Sequence, residues 1–241
     1  MRAQAGTGAR LGDVLRSLVF YVVFYGGTAI YMLAATAALA VSGRLIGRIA
    51  TAWSNFHRWC LNHILGIRVT LRGSFPDRQV LVAAKHESYF DALDMPTLLD
   101  RPVMFPKAEL LRIPLWGKAA QAYGMVGVER DQGAKALRHM VAGARRLMGE
   151  GRTLAIFPEG TRVPHGAAPP LQAGFAGLYK MLELPVVPVA IDSGPLYQHK
   201  WKRRGTITVA IGEPIPPGLP RGQIESRVHT AINALNAQDR E

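Results

Sequence analysis

The feature that most constrains this chain is an uncharged segment near its N-terminus. No Asp, Glu, Lys or Arg occurs between Arg16 and Arg44, so the uncharged run extends from Ser17 to Gly43, 27 residues. As one helix it would be about 40 Å long at ~1.5 Å per residue, more than the ~30 Å hydrocarbon core of a bilayer requires. The run is also too long for the apolar part of a secretory signal peptide, which has ~7–15 residues. The sequence therefore predicts a membrane-associated helix, in which Gly26 and Gly27 either bend the helix or let it pack closely on a neighbour.

The segment from Arg44 to Leu65 has the pattern of an amphipathic helix. Its polar stripe, with residues three or four positions apart, is formed by Arg44, Arg48, Thr51, Asn55, Arg58 and Asn62. Apolar and aromatic residues, among them Trp53 and Trp59, fill the remaining positions. A basic stripe beside aromatic residues is typical of a helix in a membrane interface, and the same pattern also fits a helix packed on a globular domain.

Basic residues lie on both sides of the uncharged run, so the positive-inside rule gives no preferred orientation for a single span. The flanking residues are Arg2, Arg10 and Arg16 before the run and Arg44, Arg48 and Arg58 after it. We therefore expect a two-helix anchor inserted from the cytoplasmic face rather than one full span. The predicted boundaries are residues 1–65 for the anchoring helices and residues 66–241 for the domain that follows.

From Ile67 onward, short apolar runs alternate with helical stretches, which is typical of an α/β fold. The predicted fold class is α/β, with a mixed, largely parallel sheet flanked by helices behind the N-terminal two-helix membrane anchor. The predicted strands are Ile67–Arg72, Val80–Ala84, Val103–Pro106, Met125–Val128, Thr153–Phe157, Val186–Ile191 and Thr206–Ile211. The predicted helices are Phe90–Leu99, Leu115–Ala122, Gly133–Gly149, Ala173–Leu182 and Gln223–Gln238.

Composition excludes several classes of protein and of site. Hydrophobic residues make up 49% of the chain, which excludes a largely disordered protein. The net charge of +12 indicates an anionic partner, and on charge alone both nucleic acid and an anionic lipid surface qualify. The single cysteine, Cys60, excludes a disulfide framework and a cysteine-based zinc site, and the seven His include no i, i+4 pair. The sequence also lacks G-x-x-x-x-G-K-[ST], G-x-G-x-x-G and G-x-S-x-G, so we expect the nucleophile of any reaction to belong to the substrate.

The strongest local motif directly follows the apolar strand Val80–Ala84. His86 leaves the end of this strand, a position that suits a general base. On one continuous helix His86 and Asp91 would face about 140° apart, so they can meet only if Asp91 begins a new helix after a turn. Ser88-x-x-Asp91 resembles a capping box, which supplies that turn and also allows Asp91 to be no more than a helix cap.

A second polar motif, Phe157-Pro158-Glu159-Gly160-Thr161-Arg162, follows the apolar strand that begins at Thr153. The Arg162 guanidinium offers two parallel donors to a phosphate. Gly160 lets backbone N–H groups approach an anion closely. Taken alone, the segment is equally compatible with a polar surface turn.

Together these motifs resemble those of the glycerolipid acyltransferases, in particular the bacterial 1-acyl-sn-glycerol-3-phosphate (lysophosphatidic acid) acyltransferases. His86 and Asp91 form the H-x-x-x-x-D motif, and F-P-E-G-T-R begins about 70 residues later. The chain departs from the family pattern with Lys85 where Asn is frequent and Gln172 where Lys is frequent, which bears on the acceptor. Further blocks that resemble the family, in the same order, are Lys107-Ala108-Glu109-Leu110, Gly124 to Arg130 and Val187-Pro188-Val189-Ala190-Ile191.

The resemblance implies transfer of an acyl chain from acyl-CoA or acyl carrier protein to the sn-2 hydroxyl of lysophosphatidic acid, which gives phosphatidic acid for phospholipid biosynthesis. His86 would be the general base and Asp91 would orient it, without a covalent acyl-enzyme. Backbone N–H groups near Gly160 would stabilise the oxyanion. No cofactor and no metal is implied. The implied acceptor-binding residues are Glu159, Gly160, Thr161, Arg162, Arg130 and Lys107.

The implied partners are the thioester donor, lysophosphatidic acid and anionic membrane lipids, with no nucleic acid. The implied location is the cytoplasmic face of the bacterial inner membrane. A basic cluster at residues 200–204 is a further candidate for contact with anionic lipid, or else a solvated loop. Two alternatives stay open: an acyltransferase for another lyso-lipid, such as a lyso-ornithine lipid, and a basic membrane-binding protein without catalysis.

Overall fold

The computed structural model describes residues 10–236, and its N-terminal part is a helical hairpin. Helix α1 (Leu11–Ala38) and helix α2 (Gly43–Cys60) are joined by a short turn. The turn ends at Ser42, whose hydroxyl accepts the Leu45 N–H and caps α2. Among the described residues, α1 is the one helix that is long and apolar enough to cross a membrane. The uncharged run thus forms most of α1, the turn and the first residue of α2, rather than one helix.

Gly27 allows close packing of α1 on α2. A Cβ atom at Gly27 would lie 2.3 Å from Cε1 of Phe56, so only glycine admits this ring. One residue further along, the Trp53 indole N–H donates to the Thr28 hydroxyl at 3.0 Å. Of the two roles that the sequence left open, the structure shows close packing, in a helix that runs without interruption from Leu11 to Ala38.

Behind the hairpin lies a six-stranded sheet with the order β1-β6-β5-β2-β4-β3. Neighbouring strands are parallel except for β5 and β6, which are antiparallel, so the predicted mixed and largely parallel sheet is confirmed. A short π-helical turn, Leu61–Leu65, connects α2 to the first strand. The strands are β1 (Ile67–Arg72), β2 (Leu81–Ala84), β3 (Val103–Met104), β4 (Leu154–Ile156), β5 (Val186–Ile191) and β6 (Gly205–Ile211).

The strand predicted at Met125–Val128 is wrong, and the reason is Pro106. The segment donates to the extension of β3, with Val126 N–H bonded to Met104 O at 2.9 Å and Val128 N–H bonded to Pro106 O at 2.9 Å. A regular parallel ladder needs a bond in the opposite direction between these two, and Pro106 cannot donate it because it has no N–H. The ladder is therefore reduced to a single bridge between Lys107 and Val128.

Two apolar clusters pack on opposite faces of the sheet. Along β2, Val82 and Ala84 contribute to the cluster that contains α1 and α2 residues, while Leu81 and Ala83 contribute to the other. This alternation is the two-residue period of a strand buried on both faces. The remaining helices are α3 (Tyr89–Leu98), α4 (Trp116–Tyr123), α5 (Ala134–Met148), α6 (Ala173–Leu182) and α7 (Arg221–Ile232).

The hairpin and the sheet share one core. Phe20 and Phe24 of α1 are buried in the same cluster as Val82. On α2, Arg58 donates two hydrogen bonds to Asp94 of α3, at 2.6 and 2.7 Å. The later part of the polar stripe on α2 thus packs on the domain, whereas Arg44 and Arg48 are exposed.

Within the basic cluster, Lys202 differs from its neighbours. It is buried, its ammonium donates to the carbonyl oxygens of Tyr197 and His199, and burial lowers the pKa of Lys202 to about 8. Lys200, Arg203 and Arg204 are exposed. Contact of the cluster with anionic lipid therefore stays a prediction for these three residues and does not extend to Lys202.

Candidate active site

The candidate site residues follow the carboxyl ends of parallel strands. His86 follows β2, the segment Phe157–Arg162 follows β4, and Lys107 follows β3 after a short connection. The pairing of Ala83 with Ile156 and of Met104 with Ala155 brings these strand ends to one edge of the sheet. This edge is where ligands bind in open α/β sheets.

His86 and Asp91 are in contact, as the sequence predicted. The Nδ1–H of His86 donates to Oδ2 of Asp91 at 3.1 Å, across a turn that leads into α3. The imidazole also stacks on the ring of Phe157, with the ring centroids 4.1 Å apart. The His86 side chain is 16% exposed, and Nε2 has no hydrogen-bond partner among the described residues. One ring nitrogen is thus held in place while the other stays accessible.

The Asp91 carboxylate is buried and accepts hydrogen bonds from four groups. Oδ2 accepts the N–H groups of Glu87 at 2.6 Å and Ser88 at 2.8 Å in addition to His86. Oδ1 accepts the hydroxyl of Ser193 at 2.6 Å. Asp91 therefore completes the capping box of α3 and contacts the imidazole with the same oxygen, so the cap and the orienting role do not exclude each other.

Ser193 was not among the predicted site residues. It follows β5, which is parallel to β2, and its hydroxyl lies 2.7 Å from that of Ser88. The Ser193 hydroxyl hydrogen goes to Asp91, so the Ser88 hydroxyl donates the second bond to Ser193. A signal was present in the sequence, since Ser193 follows the V-P-V-A-I block as closely as His86 follows its own strand.

Lys85, the residue before His86, forms a buried ion pair with Glu159. Lys85 Nζ donates to Glu159 Oε1 at 2.6 Å, to the Ala167 carbonyl at 2.8 Å and to Asn233 Oδ1 at 2.7 Å. The other carboxylate oxygen of Glu159 accepts the backbone N–H of His86 at 3.2 Å. Both side chains are 0% exposed. The acceptor-binding role expected for Glu159 does not fit this position, because both of its oxygens face protein donors.

Gly160 closes the turn that follows β4. Its φ of +72° favours glycine, and a Cβ here would lie 2.7 Å from Cγ of Gln172. The Gly160 N–H donates to the Phe157 carbonyl at 2.9 Å, so among the N–H groups near Gly160 that the resemblance implies for the oxyanion, its own is already paired. The backbone N–H groups of Thr161 and Arg162 have no partner within residues 10–236.

Arg162 is exposed and lies over an aromatic ring of α3. Its guanidinium carbon is 3.8 Å from the centroid of the Tyr89 ring. Val163, the residue after Arg162, donates its N–H to the His86 carbonyl at 2.7 Å, so the segment that carries Arg162 lies beside His86. Thr161, the residue before Arg162, is also exposed.

The other two predicted phosphate ligands, Lys107 and Arg130, lie in the connections after β3 and before α5. Lys107 is exposed at the start of a 3-10 turn, Ala108–Arg112. Arg130 begins another such turn, Arg130–Gln132, and its side chain lies outside what the structure describes. No hydrogen bond or ion pair joins Lys107 to His86 or Asp91 within the described residues, and the role of Arg130 stays a prediction.

A second imidazole–carboxylate pair lies beside the first. Glu87 is buried, and its Oε1 accepts the Nδ1–H of His165 at 2.9 Å while its Oε2 accepts the Gly194 N–H at 2.8 Å. Burial raises the pKa of the Glu87 carboxyl, and the bonds from Gly194 and His165 oppose that rise. The sequence gave no signal for this pair, because 78 positions separate the two residues.

An apolar cavity of about 120 Å³ lies between helices α1 to α4. It reaches α3 at Ala92, the residue directly after Asp91. No cluster of three or more His, Cys, Asp or Glu side chains that could hold a metal ion occurs in the described part of the chain. Side chains that line the cavity include Met32, Ile49, Trp53, Pro96, Trp116 and Met125.

Known proteins resemble this chain in family, sequence and fold. The family model described as Acyltransferase matches residues 66–192. A 1-acyl-sn-glycerol-3-phosphate acyltransferase of Pseudomonas aeruginosa is 28% identical over 209 residues, which cover 83% of this chain and 80% of the relative. The human 1-acyl-sn-glycerol-3-phosphate acyltransferase alpha is 30% identical over 208 residues, 82% of this chain and 72% of the relative. The crystal structure of the 1-acyl-sn-glycerophosphate (LPA) acyltransferase PlsC from Thermotoga maritima superimposes with a TM-score of 0.73 at 21% identity, covering 95% of this chain and all of that one.

Proposed function

Because this chain belongs to the acyltransferase family, we propose that it moves a fatty acyl chain from a thioester to the sn-2 hydroxyl of lysophosphatidic acid. The product would be phosphatidic acid. The observation that carries the proposal is the His86–Asp91 pair, in which Nδ1 is bonded to Asp91 while Nε2 has no hydrogen-bond partner among the described residues. The names of the relatives support this acceptor. Acyl-CoA and acyl carrier protein both qualify as the donor.

His86 would act as general base through Nε2. Because Nδ1–H is bonded to Asp91, Nε2 carries the lone pair and can take the proton of the acceptor hydroxyl. The hydroxyl oxygen attacks the thioester carbonyl, the tetrahedral intermediate collapses, and the C–S bond breaks. The imidazolium, stabilised by Asp91, returns the proton to the thiolate, so no acyl-enzyme, metal or cofactor takes part. The backbone N–H groups of Thr161 and Arg162 would face the oxyanion.

Arg162 would bind the phosphate of the acceptor. Its guanidinium is exposed and is held over Tyr89, near the proposed base. A planar fork of donors matches two phosphate oxygens. We keep Lys107 and Arg130 as further phosphate ligands, and we assign Glu159 to positioning His86 rather than to contact with the acceptor.

The α1–α2 hairpin would hold the site at a membrane, where both acceptor and product reside. Val22, Ile30 and Leu33 are exposed apolar residues of α1, which agrees with insertion into lipid. The apolar cavity between the hairpin, α3 and α4 offers space for part of an acyl chain beside Asp91. We place the hairpin in the cytoplasmic leaflet of a bacterial inner membrane, with the catalytic residues on the cytoplasmic side.

The direct test is acyl transfer by the purified full chain in mixed micelles. Lysophosphatidic acid is offered with acyl-CoA or acyl carrier protein donors of several chain lengths, and both thiol release and phosphatidic acid are measured. We expect thiol release that depends on lysophosphatidic acid. Release only with a lyso-ornithine lipid would show that the acceptor is wrong, and no release with any acceptor would favour a non-catalytic membrane-binding protein.

The His86→Ala variant tests the proposed base. We expect the rate to fall by about 10²–10⁴-fold, the usual contribution of a general base. The fold is expected to survive, because Asp91 keeps the donors from Glu87, Ser88 and Ser193. His139→Ala, an exposed histidine of α5, is the matched control. Near-normal transfer by a folded His86→Ala protein would refute the mechanism.

A further inference from the structure

Three large apolar side chains are exposed together in the segment between β3 and α4. Leu110 is 44% exposed, Ile113 is 47% exposed and Leu115 is 46% exposed. Single exposed apolar residues are common on protein surfaces, but a contiguous group of them marks an interaction site. We call residues 110–115 the apolar loop.

The apolar loop is exposed although the chain around it is tightly folded. Leu111 lies against glycines: a Cβ at Gly127 would be 2.8 Å from its Cδ1, and one at Gly117 would be 2.0 Å from its carbonyl oxygen. The Gly117 N–H donates to the Ile113 carbonyl at 2.8 Å. The exposure of the other apolar side chains is therefore a property of a fixed conformation and does not follow from loose packing.

Leu115 adopts a strained backbone conformation. With φ 63° and ψ −58°, and with the Trp116 N–H bonded to the Pro114 carbonyl at 2.7 Å, it is the centre of a γ-turn of the rare, strained kind. For a residue with a side chain this conformation is strained, and such strain clusters at functional sites. The chain thus accepts strain at a position where it exposes a leucine.

The surroundings of the apolar loop indicate a lipid surface. Helix α4, which begins at Trp116 directly after the loop, packs on α1 and α2. Trp116 lines the same cavity as Met32 and Ala35 of α1, close to the exposed Leu33 of that helix. Residues 107–118 contain three basic side chains and one acidic one, and Arg112 is paired with Glu129 outside this range, which leaves a local net charge of +1. Apolar residues flanked by basic ones are the composition of segments that enter the headgroup region of an anionic bilayer.

We propose that the apolar loop is a second membrane contact, which enters the same leaflet as the α1–α2 hairpin. This inference rests on the membrane anchoring proposed above. Because the hairpin and the sheet share one core, a second contact fixes how the whole molecule is tilted on the bilayer. The arrangement also brings Lys107, at the start of this segment, to the level of the lipid phosphates and hence of the acceptor's own phosphate.

Environment-sensitive fluorescent labels on single cysteines test the proposal. The only cysteine of the sequence, Cys60, is buried, so we expect the label to react with it only weakly. The wild-type protein, treated with the same label, measures this background. Labels are attached to Leu115→Cys, to Leu33→Cys on α1 and to Met181→Cys on α6. Met181 is 37% exposed on a helix that packs on the opposite face of the sheet, which makes it the matched control. The full-length proteins are added to vesicles of phosphatidylethanolamine and phosphatidylglycerol, with and without spin-labelled lipid.

We expect labels at positions 115 and 33 to shift to the blue and to be quenched by spin-labelled lipid, while the label at position 181 stays unchanged. A response at 33 without one at 115 would overturn the second contact and leave the hairpin anchor intact. No response at either position would overturn both. A response at 115 that requires acyl carrier protein or a higher protein concentration, and no lipid, would also overturn the proposal, because the occupant would then be a protein.

Discussion

The buried pair of Lys85 and Glu159 gives the sharpest quantitative prediction. Both side chains are fully inaccessible to water, and their only charged partners among the described residues are each other. Lys85→Met removes the cation and leaves the Glu159 carboxylate buried without a counter-charge. Breaking a buried pair in this way costs about 3–5 kcal/mol.

The other acceptors of Lys85 add little to that cost. The Ala167 carbonyl and Asn233 Oδ1 both keep the Asn236 side-chain amide as a donor, at 3.2 and 2.9 Å. The loss is therefore dominated by the unpaired carboxylate. For a domain of this size it corresponds to a fall in Tm of about 6–20 °C.

The double variant Lys85→Met/Glu159→Gln separates the ion pair from simple packing. A neutral glutamine carries no charge to compensate and its carbonyl still accepts the His86 N–H. We therefore expect the double variant to recover most of the stability lost in Lys85→Met. The assay is thermal and urea unfolding of the detergent-solubilised full chain for the wild type, both single variants and the double variant. Effects that add to within about 0.5 kcal/mol would refute the coupling.

Two further predictions concern the neighbours of the proposed base. Tyr89→Leu removes the ring under Arg162 and is expected to raise the KM for lysophosphatidic acid about 2–5-fold at unchanged kcat. This factor corresponds to the free energy of one exposed cation–π contact. The control variant Tyr89→Phe keeps the ring and is expected to keep the wild-type KM. An unaltered KM in Tyr89→Leu would count against the stacking. Burial raises the pKa of the Glu87 carboxyl above its usual 4.5, so the unfolded chain loses this proton at a lower pH than the folded chain does. The stability of the wild type relative to Glu87→Gln is therefore expected to decline as the pH rises from 4.5 through the raised pKa. Urea unfolding at several pH values measures the difference, and parallel curves for the two proteins would contradict it.

The parts of the fold that depend on local sequence were predicted well. The alternation of apolar runs and helical periods placed β2, β4 and α3 within one or two residues, and the capping box at Ser88 and Asp91 predicted the turn that lets His86 reach Asp91. The strand predicted at Met125–Val128 failed for a reason that its own residues do not carry. The missing N–H belongs to Pro106, on the neighbouring segment.

The parts of the site that were missed depend on pairing between distant segments. Lys85 and Glu159 are 74 positions apart, and Asp91 and Ser193 are 102 apart. No periodicity or cap relates such residues, since only the parallel order of β5, β2 and β4 brings their carboxyl ends together. For the same reason the sequence allowed Glu159 to be a polar residue of a surface turn, whereas the fold buries it against Lys85. In the sequence, Lys85 stood out only as a departure from the family pattern.

The two roles of Asp91 determine which substitution can test the mechanism. Its Oδ2 accepts both the N–H groups that begin α3 and the imidazole N–H of His86, while Oδ1 holds Ser193. A substitution at Asp91 would remove the helix cap, the contact with β5 and the orientation of the base together, so lost activity would not reveal which of these matters. His86 contributes a single one of these bonds. Its removal leaves the cap and the contact to Ser193 in place, and the His86 variant therefore separates catalysis from folding at this site.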